Sequence, residues 1–267
     1  MKKNLCLIAG LVVSLNLISL HAQPGPASRP GMGMSGGPGA PTISDAMARL
    51  FGKNSTFTAN METLMTSPSQ KEPVTMPGKI AYDSGKSRTE MNMSEWKGMN
   101  LRPEAIEHMK SMGMDSMVLI SQIGSPVIYT VFPGLKAYTE SPVRDPGTNE
   151  SSDFKVETTE MGKETVDGHP CVKKKMVVTD SKDKKHEFMV WSATDLKDFP
   201  VKIETLESDN KVTLSFRDVK FAKPDASLFE PPSDYTKYTD QMEMMRQEMM
   251  KRMPQGGMGG MPHGQGQ

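Results

Sequence analysis

Cysteine is nearly missing from this chain. Two occur in 267 residues, Cys6 and Cys171, and Cys6 falls inside an amino-terminal apolar run that reads as a cleaved leader. A mature chain would keep Cys171 alone, so no internal disulfide can staple it. Stability must then come from a packed core. A surplus of either charge is missing too. Lys and Arg total 32 against 32 Asp and Glu, and losing Lys2 and Lys3 with the leader leaves 30 against 32. That balance supplies no basic field for nucleic acid and no strong acidic one. No H-E-x-x-H, C-x-x-C or paired-carboxylate motif is present, so neither an enzyme activity nor a cofactor is expected from the sequence. Past the leader no apolar run is long enough to span a membrane.

The leader covers 1–22. Lys2 and Lys3 form its charged start, residues 5–20 its apolar stretch, and Ala22 is a small residue before a cleavage point at Gln23. The run is short for a membrane anchor and carries Ser14 and Asn16. No cysteine follows it, which argues against lipid attachment there. The expected location is therefore periplasmic or secreted. Residues 23–41 are Pro, Gly, Ser and Met without periodicity, and are expected to be disordered. Gly33-Met34-Ser35-Gly36-Gly37 matches G-x-S-x-G, but it lacks the strand and helix that a nucleophile elbow needs. Ser84-Gly85-Lys86-Ser87 likewise lacks the first glycine of a phosphate loop, since Ile80 stands there.

A domain is expected over 42–238. A short helix is placed at 42–50. Strands are placed at 55–66, 79–82, 87–93, 117–122, 127–132, 136–140, 154–161 and 172–179, with turns at Asp83-Ser84-Gly85-Lys86, Gly124-Ser125-Pro126, Pro133-Gly134 and Val166-Asp167-Gly168-His169. In the first strand Phe57, Ala59, Met61 and Thr63 share a side. The strand 127–132 is apolar on both faces, which predicts a central position covered on both sides. A helix is expected at 103–112, with Pro103 at its start, Gly113 at its end, and Ala105, Ile106, Met109 and Met112 as its apolar stripe. That stripe either packs on the sheet or lids a cavity. Polar loops are expected at 141–152 and 180–185.

The stretch 187–235 organises the rest. Strand-like runs occupy 187–192, 201–207 and 211–221. Val212, Leu214 and Phe216 alternate with Thr213, Ser215 and Arg217, the period of a half-buried strand. Ser208-Asp209-Asn210 reads as a hairpin turn. Asp198-Phe199-Pro200 punctuates the first gap. The order is a tryptophan strand (Val190-Trp191-Ser192), then Phe199-Pro200-Val201-Lys202-Ile203-Glu204, a polar hairpin, a strand, and Ser227-Leu228-Phe229-Glu230-Pro231-Pro232. This order resembles the carboxyl-terminal half of the LolA/LolB-like superfamily of bacterial lipoprotein carriers, and more closely an uncharacterised secreted branch of it, over 56–238. The resemblance implies a mainly β (α+β) fold: a curled antiparallel sheet or half-barrel, one or two covering helices, and an apolar concavity holding acyl chains. The carriers' outer-membrane partner has no identifiable counterpart motif here.

Two readings follow. The first is a non-enzymatic periplasmic carrier or binding protein for a lipid-like ligand such as a lipoprotein acyl chain. Its lining set is Met189 and Trp191, or the opposite-facing Phe188 and Val190. The second is an interaction module acting through methionine. The chain has 25 Met, with Met-x-Met at Met32/Met34, Met91/Met93, Met112/Met114 and Met242/Met244. A helix expected over 239–254 aligns Met242, Met245, Met249 and Met253, a face suited to a protein partner or to Cu(I), which soft thioethers favour. A disordered tail is expected at 255–267. His169 and Cys171, two apart on an extended segment, are the one close His/Cys pair.

Overall fold

The computed structural model describes residues 45–68, 72–99, 102–142, 155–179, 183–206 and 211–252. The expected leader, the 23–41 linker, the 208–210 turn and the 255–267 tail lie outside these residues.

The strands are β1 (Thr56–Thr66), β2 (Val74–Asp83), β3 (Lys86–Asn92), β4 (Ser116–Gln122), β5 (Val127–Phe132), β6 (Ala137–Pro142), β7 (Lys155–Val166), β8 (His169–Thr179), β9 (Lys185–Ala193), β10 (Phe199–Thr205), β11 (Lys211–Lys220) and β12 (Thr236–Tyr238). They form one open curled sheet in the order β12-β6-β5-β4-β3-β2-β1-β11-β10-β9-β8-β7. Two meanders, β1–β6 and β7–β11, are joined where β1 pairs antiparallel with β11. The expected antiparallel, mainly β architecture holds. Its exception is β12, absent from the sequence reading, which pairs parallel to β6. The turns Ser84-Gly85 and Asp167-Gly168 have positive φ at both residues, the geometry that matches the twist of two-residue hairpins.

Period-2 alternation builds the inner face. Phe57, Ala59, Met61 and Thr63 are buried as expected. They lie opposite Tyr82, Ile80, Gly78 and Met76 of β2. Met61 and Thr63 lie opposite Phe216 and Leu214 of β11. The short helix α1 (Asp45–Ala48) and the 3-10 turn Arg49–Phe51 bring Phe51 onto this surface. Its ring centroid is 4.9 Å from that of Phe57, 5.5 Å from Tyr82, 5.7 Å from Phe199 and 5.8 Å from Phe216. In the middle of the face Trp96 packs with Val74, Met76, Met91 and Leu119. At the β12 end, Phe132 and Ala137 face each other across β5 and β6 and close over Tyr238 and Met244 of helix α3 (Gln241–Arg252). The chain's own side chains therefore cover the inner face at three successive places.

Three expectations change. Strand β5 is third from the end of the sheet, and Val127 to Thr130 are only half-buried, so it is neither central nor fully covered. Helix α2 (Pro103–Ser111) has no buried residue, and Ala105 is exposed. It contacts the 3-10 turn Met93–Glu95, and of its apolar stripe Ile106 and Met109 are only half-buried. The docking residue of α3 is Met244, fully buried, while Met242 and Met249 are 59% and 52% exposed. With methionines on several sides of this helix, spacing alone could not choose the buried one.

Strand β7 is an edge exposed along nearly its whole length. Its charged residues, including the Lys155–Glu157 pair at 2.6 Å, disfavour pairing with a further strand. Among the described residues no helix is long and apolar enough to cross a membrane.

Candidate functional site

The opposite, outer face of the sheet carries the larger cavity. Along β4, Val118 and Ile120 point away from the inner face. Across the sheet Ala81 and Val131 join them as a small buried patch. After β11 the chain returns over this patch. Asp225 starts the turn Ala226–Phe229 by accepting hydrogen bonds from the Ser227 amide at 2.9 Å and the Ser227 hydroxyl at 2.8 Å. Phe229 is thereby seated on the patch, 7% exposed. Arg88 donates to the Leu228 carbonyl at 3.2 Å and is itself braced by Glu90 at 2.7 Å. Pro231 and Pro232 keep the chain extended, since neither ring can join a helix or donate a hydrogen bond. The Thr236 amide then donates to the Lys136 carbonyl at 2.9 Å, which leads the chain into β12. The segment 226–235 is a strap tied at both ends.

Between strap and sheet lies a groove of about 400 Å³. Its size falls within the roughly 300–1,000 Å³ typical of small-ligand sites. Tyr129, Tyr138 and Tyr235 line it with Ile120, Val127 and Phe229. The rings of Tyr129 and Tyr138 meet edge to face at 6.1 Å. Polar side chains line the groove as well, among them Lys86, Ser121, Gln122, Ser125, Glu140 and Glu230. Glu140 is held by Lys237 at 2.8 Å, and the hydrogen bond to Glu140 raises the Lys237 ammonium above its ordinary value. Tyrosine offers an apolar body and a polar tip, and polar atoms make up most of the surface that faces the groove. Neither histidine nor cysteine is among the lining residues.

The Asp225 cap makes the strap sensitive to acid. Hydrogen bonds from the Ser227 amide, then from its hydroxyl, hold the carboxyl below its ordinary 3.8. A depressed folded value means the stabilisation is fully present above pH 3.8 and is lost as pH falls through the lower folded value. Asp225→Ala should therefore speed amide exchange across 226–235 at pH 6 while leaving β1 unchanged. Equal exchange in both proteins would show that the cap does not hold the strap.

The residues singled out in the sequence lie elsewhere. Phe188 and Val190 are buried in the core that includes Phe57 and Phe216. Trp191 is buried in the same cluster, 4% exposed, with the ammonium groups of Lys173 and Lys202 4.9 Å and 4.2 Å from its ring centroid. Its indole N–H donates to Glu164 of β7, which draws that carboxyl below its usual range. Met189 is half-buried. None of the four lines the groove. His169 and Cys171 do not act as a pair. The His169 ring bonds Asp195 at 2.8 Å, the Cys171 thiol donates to the His169 carbonyl at 3.4 Å, and burial pushes the thiol up, away from a reactive thiolate. No three His, Cys, Asp or Glu side chains among the described residues cluster as a metal site. The groove tyrosines escaped the sequence reading, although it had singled out the strand 127–132 and the run Phe229-Glu230-Pro231-Pro232, which both line the groove.

The fold and the groove define an open curled sheet with a strapped cleft on its outer face. The chain belongs to the family described as a domain of unknown function, DUF4412, which matches residues 57–199, more than half its length. No curated protein matches it. Similar solved structures include a LolA superfamily protein from Nitrosomonas europaea, with 9% identity, TM-score 0.36, 70% of this chain covered and 96% of that one. The lipoprotein LppX of Mycobacterium tuberculosis shows 10% identity, TM-score 0.36, and coverage of 61% and 85%. The MucA/MucB complex of Pseudomonas aeruginosa shows 13% identity, TM-score 0.35, and coverage of 73% and 63%. The superfamily named from the sequence recurs among these structures. Likeness at this level transfers no ligand or partner to the present chain.

Proposed function

We propose that this protein is a non-enzymatic binding or carrier protein, working outside the cytoplasm, for a lipid-like amphiphile. The observation that supports it is the groove under the 226–235 strap. A polar head group would meet Lys86, Glu140 and Glu230, and the apolar part next to it would lie along Val127 and the three tyrosines. The charged amino-terminal start, apolar run and Ala22 of the sequence support export.

Titration of the full chain with fluorescent fatty-acid analogues of increasing length tests this reading. Each buried methylene contributes roughly 0.8 kcal/mol, about a fourfold gain in affinity, until the groove is full. Tyr138→Asp should abolish binding with circular dichroism unchanged, and Trp191→Phe should spare it. Loss with Trp191→Phe but not Tyr138→Asp would move the ligand to the Met189/Trp191 side of β9. No saturable binding at any chain length would remove the carrier reading.

A second reading attaches to α3. Met242, Met249 and Met250 are 59%, 52% and 64% exposed, and their spacing puts them on the outward side of one helix. Flexible apolar side chains of this kind adapt to varied protein partners. A partner captured from the exported fraction by the full chain, and lost with Met242→Ser/Met250→Ser, would support it. Equal capture by that variant would remove it.

A further inference from the structure

A second cavity lies where α3 crosses the end of α2. It measures about 20 Å³ and is lined by Met112, Met114, Leu135, Met245, Glu248 and Met249. The volume decides what could enter. About 10–15 Å³ of such space admits a single water, so an acyl chain is excluded and a one-atom guest fits. The wall is not polar enough to suit water, since its only charged or hydrogen-bonding side chain is Glu248. Four of its six lining residues are methionine, in a chain with 25 among 267.

The four thioethers come from two distant segments brought together by specific contacts. Met245 and Met249 are one helical turn apart on α3, so they share a side. Met244, fully buried against Phe132, Ala137 and Tyr238, fixes how that side is presented. Met112 ends α2, and Met114 follows Gly113, whose φ is +71°. A Cβ on Gly113 would stand 2.7 Å from the Gly134 carbonyl oxygen, so the two backbones touch there. That contact places Met112 and Met114 beside Leu135. Met114 is buried at 5%, while Met249 at 52% leaves the cavity open to entry.

We infer that Met112, Met114, Met245 and Met249 form a thioether site for a soft monovalent cation, Cu(I) or its redox-inert analogue Ag(I). Thioethers select Cu(I) over harder ions. Glu248 lends negative charge to the wall without ligating, its Oε1 accepting from the Tyr238 hydroxyl at 2.7 Å and from Lys251 at 2.7 Å. Thioethers carry no proton to lose, so binding should not weaken on mild acidification as it would at histidine or cysteine ligands. This site is separate from the groove and does not depend on the ligand proposed for it.

The test is anaerobic titration of the full chain with Cu(I) against a chromophoric Cu(I) chelator, repeated with Ag(I). The variant Met112→Leu/Met114→Leu/Met245→Leu/Met249→Leu keeps volume and helix propensity while removing all four sulfurs. It should lose one bound equivalent relative to the wild type. Met242→Leu/Met250→Leu should lose none. X-ray absorption of that equivalent should show sulfur donors only, and it should persist from about pH 7 to about pH 5. If the quadruple variant fails to fold, Met245→Leu/Met249→Leu serves, and should surrender the equivalent at a chelator concentration the wild type withstands. An undiminished equivalent count in a folded variant, or nitrogen and oxygen donors around the metal, would overturn the site and assign soft-metal binding to other residues.

Discussion

Phe51→Ala should cost about 3–5 kcal/mol of unfolding free energy, the usual loss for a phenylalanine truncated in a core. Phe51 is 2% exposed and lies within 5.8 Å, centroid to centroid, of Phe57, Tyr82, Phe199 and Phe216. These partners come from β1, β2, β10 and β11, so the ring ties the two meanders together at their seam. A domain of this kind has roughly 5–15 kcal/mol in total, so the variant should sit close to its unfolding threshold. The urea midpoint should fall with an unchanged slope if the native state merely loses the ring. A loss under about 1 kcal/mol would show that the Arg49–Phe51 turn is a surface appendage and not part of the core.

Gly98→Ala should be the next most damaging change. Gly98 has φ +77°, and a Cβ there would lie 1.9 Å from the Pro73 carbonyl oxygen and 2.8 Å from its carbon. Both are backbone atoms, so no side-chain movement can relieve the clash. The neighbouring Thr75–Lys97 bridge, with both hydrogen bonds at 3.0 Å, would have to open. The left-handed backbone alone costs an alanine about 1–2 kcal/mol, and the displaced segment should bring the total to about 3 kcal/mol. Trp96, two residues away, reports the event. In a Trp191→Phe background it is the remaining tryptophan, and its emission should shift red as it leaves Val74, Met76, Met91 and Leu119. An unchanged midpoint and spectrum would mean that the 93–99 loop can shift without disturbing the core.

The parts legible in the sequence were those whose cause is local. Strand β1 showed its buried side through Phe57, Ala59, Met61 and Thr63 because side chains alternate along any extended segment. The Asp167-Gly168 turn was readable because few residue types accept its backbone geometry. The same logic failed where more than one local solution was open. On α3 several faces carry methionine, and on β9 both Val190 and Trp191 sit on apolar-looking faces. Nothing within ten residues says which of them meets a partner. Helix α2 has a regular apolar stripe, yet none of its residues is buried.

The sequence by itself determined most of the strands, the Ser84-Gly85 and Asp167-Gly168 hairpins, the near-absence of disulfide chemistry and the mainly β class, because alternation and turn chemistry act over a few residues, while β12 and the first half of β2 escaped it. The tertiary structure alone decided the sites. The groove exists because 226–235 is laid over β4 to β6, with Arg88 reaching Leu228 across 140 positions of chain. The methionine cavity exists because α3 meets the end of α2 across a comparable separation. Both follow from the strand order, in which pairing of β1 with β11 and of β12 with β6 sets what lies above each face. Such pairings are chosen by total burial over the whole sheet, a quantity that no short window of sequence contains.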